Sequence, residues 1–342
     1  MNEQTPAPAD GGYRMSAEWA RHRRTWMCWP CRPQAWGGGK GLAQAKLATA
    51  EVAAAIARYE PVTMAARPQD ADEVGRLCGD GIELFETPLD DSWARDIGPT
   101  FLSGAARVGV AWRFNAWGGK YHPFDKDAGF AGRVLERAGA KIARAPLVCE
   151  GGAIHVDGDG TLLTTEQCLL NPNRNPDSNR VQIEEALKRH TGTEHILWLT
   201  GKFLDEETDG HIDNIACFAA PGRVILGMPA SRSHPDYPAI AAAKTQLASA
   251  RDARGRSIDI VEIGQPQKER TDWRGRRLAT SYVNFYVVNG AVIAPAFDDP
   301  ADDAAHAVLG DCFPDRAMVQ IDARAIVEGG GGIHCITQQE PE

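Results

Sequence analysis

A cysteine, a histidine and several carboxylates lie in short, glycine-rich segments, and together these residue types can carry out nucleophilic hydrolysis. Cys335 ends the segment Gly-Gly-Gly-Ile-His-Cys, and a thiolate is a strong nucleophile. His334 directly precedes it, but neighbouring side chains of a strand point to opposite faces. We therefore expect that His334 does not reach the Cys335 sulfur, and that the general base comes from another segment.

His211 is the best candidate for that base. It lies two residues before Asp213, so in a strand the two side chains would share one face. A glycine and an asparagine flank the pair, which favours a site over an isolated surface histidine. The same pair could serve a zinc ion, with His155 or Cys335 as a further ligand. Since no second pair of ligands with zinc spacing is found, we expect no metal.

Two further segments present carboxylates. Asp96 follows Trp93 by three residues, which would offer a cation both an aromatic wall and a carboxylate. Glu150 precedes two glycines, which let the backbone approach another group closely. The alternatives are a solvated loop in which Asp96 neighbours Arg95, and a turn in which Glu150 is exposed.

These segments supply one thiol, one imidazole and three carboxylates. A Ser-His-Asp hydrolase lacks this surplus of negative charge, because its substrates are neutral carbonyls that become anionic. Several carboxylates around a thiol instead suit a substrate that is cationic before it is attacked. A guanidinium fits this description, because carboxylates bind its planar fork bidentately and a thiolate can attack its central carbon.

Composition excludes several classes of function. The 342 residues include 37 basic and 46 acidic side chains, and a net charge of -9 repels nucleic acid and anionic membranes but can attract a small cation. The sequence contains no run of about 18 apolar residues, which is roughly the length needed to span a bilayer. The polar N-terminus predicts a disordered tail over residues 1–12 and no export signal, so we expect a cytoplasmic protein.

The eight cysteines are expected to be free thiols, because the chain is long and has no predicted export signal. Cys28 and Cys31 have the spacing of a redox or zinc pair. The prolines around them predict a loop rather than the start of a helix, so this pair is interpreted as having no redox function.

Segments with helical periodicity alternate with short β-branched or aromatic runs, which indicates an α/β chain. The predicted helices cover residues 42–58, 70–77, 127–138, 180–190, 237–251 and 299–309. The predicted strands cover residues 108–114, 222–228, 282–289 and 291–294. No Pro/Ser-rich linker is long enough to separate two domains, so we expect one catalytic domain over residues 13–342.

The segments that carry chemistry recur at similar intervals. With Asp96, Glu150, His211, Asn284 and Cys335 as markers, the intervals are 54, 61, 73 and 51 residues. A unit of this size cannot bury an apolar face alone. Five such units therefore predict a closed radial array, with the polar markers meeting at its centre.

At these residues the sequence resembles the agmatine deiminases, within the guanidine-modifying (pentein) superfamily. The resemblance covers nearly the whole chain. The matching motifs are residues 15–19, 90–96, 114–121, 161–176, 208–214, 281–285 and 333–339. The family fold is a five-bladed α/β propeller of pseudo-fivefold ββαβ-type repeats, so the resemblance implies that each marker lies in one blade.

The resemblance also implies a role for each matching catalytic side chain. Cys335 corresponds to the nucleophile and His211 to the general acid/base. Asp96 and Asp213 correspond to the carboxylates that grip the guanidinium nitrogens. Glu150 corresponds to the glutamate that contacts and orients the histidine.

Two further residues are expected to bind the substrate. Trp93 would line the pocket, and Glu207 would contact a substrate nitrogen. The family usually has asparagine where this chain has Gly332, which removes hydrogen-bonding groups near the site. This difference is expected to loosen the loop that carries Cys335. The resemblance implies neither a metal nor an organic cofactor.

The implied reaction converts agmatine to N-carbamoylputrescine and ammonia through a covalent thiouronium on Cys335, in putrescine biosynthesis. Free or peptide-bound arginine is the alternative substrate. Free arginine would need a cationic clamp for its α-carboxylate, and no arginine in the matching motifs is an obvious clamp. A silent guanidinium-binding protein is an alternative from another class, which the intact Cys335 and His211 argue against. Whether the chain forms a homo-oligomer is left open.

Overall fold

A small unit of two antiparallel strands, a helical connection and a third strand recurs along the chain. The computed structural model describes residues 7–342. In this part of the chain the strands are β1 His22–Cys28, β2 Val62–Ala66, β3 Ile82–Glu86, β4 Thr100–Leu102, β5 Val108–Arg113, β6 Lys141–Val148, β7 Ile154–Val156, β8 Thr161–Thr165, β9 His195–Leu199, β10 Ala216–Ala220, β11 Arg223–Met228, β12 Asp259–Gly264, β13 Tyr286–Val288, β14 Ala291–Ala296, β15 Ala317–Asp322 and β16 Thr337–Pro341.

Helices connect the strands within each unit. In the same described residues they are α1 Gly39–Ala57, α2 Ala71–Cys78, α3 Ala94–Ile97, α4 Ala116–Gly119, α5 Asp125–Ala128, α6 Phe130–Arg137, α7 Glu166–Leu169, α8 Arg180–Thr191, α9 Tyr237–Ser249, α10 Asp302–Cys312 and α11 Arg324–Val327. The longer helices lie close to the six predicted from periodicity. The predicted strand 282–289 is shorter than expected, because only residues 286–288 pair with a neighbour.

The strands of residues 7–342 form five sheets, in the orders β4-β5-β6, β7-β8-β9, β10-β11-β12, β13-β14-β15 and β16-β1-β2-β3. In each sheet the first two strands are antiparallel and the next pair is parallel. A parallel pair needs a crossover connection, which the helices supply. The fold is therefore the predicted five-bladed α/β propeller, with an extra βα unit in the first blade.

The two ends of the described chain close the ring. Strand β16, near the C-terminus, pairs antiparallel with β1, near the N-terminus. The first strands of neighbouring blades lie against each other, β4 beside β16 and β7 beside β10. Four of the five blades thus bury one edge against a neighbour, as expected for units too small to fold alone.

The middle strands form the core. Strand β2 reads Val-Thr-Met-Ala-Ala and is buried at each position, with α1 and α2 packed against it. A parallel strand with neighbours on both sides has no face left for water, so its sequence does not alternate. In α1 the buried positions are filled largely by alanine, valine and isoleucine.

The predicted disordered tail over residues 1–12 is corrected in its second half. Residues 1–6 lie outside the described part of the chain. Residues Pro8–Gly11 form a short 3-10 helix that packs against α8, and Pro8 is buried. A proline at the first helical position has its backbone angle already fixed, which favours this turn. Within residues 7–342, no helix combines the length and the hydropathy that crossing a membrane requires.

The five marker residues occupy equivalent positions in the propeller. Each lies in the connection that leads into the first strand of a sheet: Asp96 before β4, Glu150 before β7, His211 before β10, Asn284 before β13 and Cys335 before β16. Because the first strands lie side by side, these connections meet at one end of the ring. The predicted meeting of the markers follows directly from the topology.

Two glycines at the start of α1 provide a test of the packing. A methyl group on Gly41 would lie 2.0 Å from the backbone oxygen of Trp36, whereas one on Gly39 would meet nothing within 4 Å. We predict that Gly41→Ala lowers the free energy of unfolding by about 1–3 kcal/mol, because a backbone atom cannot move aside cheaply. The matched Gly39→Ala should raise it by about 0.4–1 kcal/mol, since alanine has less freedom in the unfolded chain. Urea unfolding measures both, and equal effects would contradict this packing.

Candidate active site

Cys335 lies in the turn between α11 and β16, and its side chain is buried. Its sulfur lies 3.3 Å from Asn284 Nδ2 and 3.6 Å from Asp213 Oδ2. Burial raises the pKa of the Cys335 thiol well above its usual range, and the carboxylates of Asp213 and Asp96 raise it further. These surroundings therefore favour the neutral thiol, and a cation between the carboxylates would favour the thiolate.

The premise used for His334 and Cys335 is wrong in one respect. Both residues lie in a turn rather than a strand. The two side chains nevertheless approach the same atom: His334 Nδ1 lies 2.8 Å from Asp213 Oδ2, and the Cys335 sulfur lies 3.6 Å from it. His334 thus acts on the carboxylate beside the nucleophile.

His211 is fully buried among carboxylates. Its Nδ1 lies 3.7 Å from Asp96 Oδ1, and its Nε2 lies 3.8 Å from Glu150 Oε2. Neither ring nitrogen has a hydrogen-bond partner among the described residues. Burial lowers the pKa of His211, but Asp96, Cys168 and Glu150 outweigh it and hold that pKa well above its usual range. A buried imidazolium with free N–H groups is a suitable proton donor for a leaving group.

The prediction that His211 and Asp213 share one face of a strand is wrong, because neither residue lies in a strand. His211 instead precedes the 3-10 turn Ile212–Asn214. The two side chains still converge, because both approach Gly152. A methyl group on Gly152 would lie 2.6 Å from His211 Nδ1 and 2.9 Å from both Asp213 Oδ2 and Asp96 Oδ1. A glycine at this position is what allows three blades to bring their functional groups together.

Asp96 is held by two donors. It lies in the single turn α3, where its Oδ1 accepts from the Gly152 backbone N–H at 3.0 Å and its Oδ2 accepts from Trp117 Nε1 at 2.9 Å. Burial raises the pKa of Asp96, and Asp213 and Glu150 add to the rise while His211 opposes it. Asp96 therefore has neutral hydrogen-bond donors, and within residues 7–342 its one cationic partner is His211.

Glu150 has such a partner. Arg174 Nε donates to Glu150 Oε1 at 2.7 Å, and both side chains are fully buried. Arg174 also bonds Asp209 Oδ2 at 2.7 Å and the Thr208 carbonyl at 3.0 Å. Burial alone would raise the pKa of Glu150, but Arg174 and His211 lower it below its usual value. Glu150 is thus a fixed anion that faces His211.

Asp213 is the end of a buried chain of charged groups. His334 bridges it to Glu18, with His334 Nε2 2.7 Å from Glu18 Oε1. Glu18 also lies 3.2 Å from Arg95 Nη1 and 3.7 Å from His155 Nε2. Burial and Arg95 lower the pKa of His334, but the two carboxylates beside it raise it overall. The pKa of Asp213 is lowered, since His334 outweighs the effect of burial.

A narrow cavity is lined by Cys335. Its wall contains the rings of Trp93, Trp117 and Tyr121 and the carboxylates of Asp96 and Glu207. The Trp93 ring stacks on Trp36 with the ring centroids 5.7 Å apart. Flat aromatic walls and carboxylates suit a slender, apolar chain that carries positive charge.

Glu207 lies at the mouth of this cavity, where a second cavity adjoins it. The Tyr121 hydroxyl donates to Glu207 Oε1, and Arg276 Nη1 lies 3.0 Å from its Oε2. Burial raises the pKa of Glu207, and Arg276 opposes the rise. The Glu207 carboxylate therefore already has two partners, and a cationic ligand would have to compete with Arg276 for it.

One group of residues could hold a metal ion. Among the described residues, Glu150, Cys168 and His211 each offer a ligand atom, and these atoms lie within 4.8 Å of one another. This set differs from the one weighed from sequence, since it includes neither His155 nor Cys335. Glu150 Oε1 is already bonded to Arg174. The expectation of no metal stays a prediction.

The structure brings together every residue that the sequence singled out, and it adds others. Trp117, Arg174 and Cys168 lie in matching motifs but received no role, because nothing in their local sequence reveals which carboxylate they contact. His334 was set aside on the strand argument. Asn284 served only as a marker, although its amide touches the nucleophile.

The chain is similar over its whole length to proteins of one family. The model of the family described as Porphyromonas-type peptidyl-arginine deiminase matches residues 14–341. An agmatine deiminase from Ectopseudomonas mendocina is 44% identical over 367 aligned residues, covering 100% of this chain and 99% of its own. An agmatine deiminase from Pseudomonas aeruginosa is 44% identical, again with 100% and 99% covered.

A solved structure is similar throughout. The agmatine deiminase of Enterococcus faecalis, described as catalysing its reaction, superposes with a TM-score of 0.94 at 36% identity. The match covers 99% of this chain and 98% of the other. Dimethylarginine dimethylaminohydrolase, at 14% identity and a TM-score of 0.53, shares the fold alone.

The bridge made by His334 predicts a pH dependence of stability. Because its folded-state pKa is raised, His334 stabilises the fold fully below its unfolded pKa of about 6.5, and this contribution is lost as pH rises through the folded value. Urea unfolding from pH 6 to 9 should show that His334→Gln has a lower free energy of unfolding than the wild type near pH 6. The difference between the two proteins should shrink as pH rises. His195→Gln, at an exposed position in β9, is the control. Parallel curves for wild type and His334→Gln would contradict the bridge.

Proposed function

The chain belongs to the Porphyromonas-type peptidyl-arginine deiminase family, and on this premise we propose that it hydrolyses agmatine to N-carbamoylputrescine and ammonia. The observation that carries the proposal is the convergence of His211, Asp96 and Asp213 over Gly152, beside the Cys335 thiol. We assign the reaction to a single catalytic domain over residues 13–342 and to the cytoplasm, where the eight free thiols would stay reduced.

Binding comes first. Asp96 and Asp213 hold the guanidinium through charge-assisted hydrogen bonds, with the alkyl chain along Trp93. Two carboxylates on different blades fix the plane of the guanidinium, so that the sulfur approaches its carbon from one face. The positive charge also offsets the two carboxylates that raise the pKa of Cys335. Substrate binding thereby favours the thiolate that attacks it.

The chemistry then takes two steps. The Cys335 thiolate forms a bond to the guanidinium carbon, and the carbon–nitrogen bond breaks as His211 gives a proton to the departing ammonia. A covalent S-alkylthiouronium remains. Neutral His211 then takes a proton from water, whose oxygen attacks the same carbon, and the thiol is released with the ureido product. Glu150 faces His211 and stabilises its protonated form in both steps.

The mouth of the cavity favours agmatine over free arginine. The Glu207 carboxylate is placed to receive the distal ammonium of agmatine. Arg276, Lys120 and Arg274 are cations near Glu207. Arg276 is paired with Glu207 at 3.0 Å and with Asp272 at 2.8 Å, and Lys120 is paired with Asp209 at 2.9 Å. An α-carboxylate would have to displace one of these partners and would meet Glu207. This site therefore opposes the additional negative charge of arginine.

A covalent intermediate is the first test. After incubation with agmatine and an acid quench, a mass adduct should appear on the peptide that contains Cys335. Cys335→Ser should abolish the adduct and nearly all ammonia release, because a hydroxyl is a much weaker nucleophile at neutral pH. Cys78→Ser, at a half-buried thiol in α2, is the matched control.

The same assay separates the alternatives. Ammonia release should be fastest with agmatine, compared with free arginine and an arginyl peptide at equal concentration. Faster release from either arginine substrate would overturn the substrate assignment while leaving the cysteine chemistry intact. Binding of agmatine without any turnover would indicate a catalytically inactive guanidinium-binding protein.

Charge at the two aspartates should decide turnover as well as affinity. Asp96→Asn and Asp213→Asn should each lower kcat/KM by an amount that corresponds to on the order of 2–4 kcal/mol of activation free energy. Part of the loss should appear in kcat, because the carboxylate orients the guanidinium as well as binding it. Steady-state kinetics with agmatine measures this. Asp177→Asn, at an exposed position, is the control for the same change of charge. A wild-type kcat in either site variant would show that its carboxylate does not orient the guanidinium.

A further inference from the structure

Asn284 is the marker of the fourth connection, and the reaction described above gives it no role. It lies in the connection before β13, and its side chain is 2% exposed. Its Nδ2 lies 3.3 Å from the Cys335 sulfur, closer than Asp213 Oδ2 at 3.6 Å. The other four connections supply the nucleophile, the acid/base and the carboxylates. The connection before β13 supplies a neutral amide that touches the reacting atom.

The orientation of this amide is fixed by groups other than the thiol. Its Oδ1 accepts from the His334 backbone N–H at 3.0 Å, and a backbone N–H can only donate. Its Nδ2 faces Asn214 Oδ1 at 3.0 Å and the Asp213 carbonyl oxygen at 3.4 Å, and a carbonyl can only accept. Exchanging the oxygen and nitrogen would break these bonds. Of the two N–H groups on Nδ2, one faces Asn214 Oδ1, and the other is available to the Cys335 sulfur at 3.3 Å or to the more distant Asp213 carbonyl oxygen. The Oδ1 atom lies farther from the sulfur, at 3.6 Å.

The sequence makes room for this approach at Gly332. A methyl group there would lie 2.3 Å from Asn284 Oδ1 and 2.9 Å from its Cγ. Any side chain at position 332 would push the amide away unless the backbone moved. The loop that carries Cys335 also bonds Asn284 through the His334 backbone N–H, and the expectation that Gly332 loosens this loop stays a prediction. Glycine at 332 thus permits the close contact between Asn284 and the nucleophile loop.

The charges around the sulfur explain why a donor matters here. Asp213 from the connection before β10 and Asp96 from the connection before β4 face the sulfur, and Glu207 lines the same cavity. The cations nearest Asp96 and Asp213 are His211 and the His334 imidazole, whereas Glu207 has Arg276 at 3.0 Å. Burial and the two aspartates raise the pKa of Cys335, whereas the Gly332 backbone N–H and Asn284 lower it.

We propose that Asn284 is a catalytic residue whose side-chain amide donates a hydrogen bond to the Cys335 thiolate and stabilises it for attack. This role deepens the proposed function and rests on it, since it concerns the same nucleophile. The donor acts on the charged form of sulfur more strongly than on the neutral thiol, because hydrogen bonds to an ion are about twice as strong. It therefore raises the fraction of enzyme that is ready to attack.

The test measures the nucleophile directly and needs no agmatine. The rate at which iodoacetamide alkylates Cys335 is followed from pH 6 to 11 by mass spectrometry of the Cys335 peptide, which separates it from the other thiols. Asn284→Asp keeps the shape and the oxygen that binds the His334 N–H, but it replaces the donor. The apparent pKa of alkylation should rise by at least one unit, which is tenfold less thiolate at a given pH. With agmatine, kcat/KM should fall at least tenfold.

Controls distinguish this role from a structural one. Asn179→Asp introduces the same change at the exposed N-cap of α8 and should leave both readouts unchanged. If Asn284→Asp has a clearly lower melting temperature than the wild type, Gly332→Ala is used instead. Its methyl group displaces the Asn284 amide and leaves the Asn284 and Cys335 side chains chemically unchanged. An alkylation profile that overlays the wild type in the folded variant overturns the proposal, even if turnover is lost. If the wild type does not turn over agmatine while Asn284→Asp still shifts the alkylation profile, the proposed function alone is contradicted.

Discussion

Burying several carboxylates beside a thiol is the constraint on which the rest of this structure depends. An unpaired buried charge costs several kcal/mol, so each carboxylate needs a cation or donors of its own. Glu150 has Arg174, and Asp213 has His334, which in turn is shared with Glu18. Asp96 differs, because its direct donors are an indole and a backbone N–H. The cluster is thus complete except for positive charge near Asp96, Asp213 and the thiol, which is where a guanidinium would lie.

Such a cluster can be held only by a rigid frame, because its members come from different blades. The nucleophile lies beside the seam where β16 pairs with β1. Arg95 crosses this seam: its backbone N–H donates to the Cys335 carbonyl at 3.0 Å, and its side chain reaches Glu18. Closing the ring therefore also places the sulfur against Asp96 of α3. The fold and the site are specified by the same contacts.

Local sequence predicted some of this and could not predict the rest. The spacing of Asp96, Glu150, His211, Asn284 and Cys335 predicted five units and their meeting point, because regular intervals in a chain become angular intervals in a ring. The helix periodicity predicted most of the helices. The strand assumed for residues 282–285 was wrong, because connections into a ring centre are turns that must carry side chains inward.

The sequence could not predict which cation pairs with each buried carboxylate. Arg174 lies 24 residues from Glu150, and His334 lies 121 residues from Asp213. Nothing in their neighbourhoods distinguishes them from surface cations. Gly332 illustrates the same limit: its missing side chain suggested a looser loop, but nothing in the sequence indicated that the space it leaves is filled by Asn284 from another blade. Contacts between blades are set by the closure of the ring and appear only once the ring is built.

The same electrostatics also explains how the cycle ends. Attack on a guanidinium consumes a cation and finally yields a neutral ureido group, so the product can no longer pair with Asp96 and Asp213. Without that pairing, the two carboxylates again raise the pKa of Cys335 and return the sulfur to the neutral thiol. Loss of the charge therefore weakens product binding and resets the nucleophile together. A site built from fixed anions around a thiol thus recognises its substrate by a charge that the reaction removes.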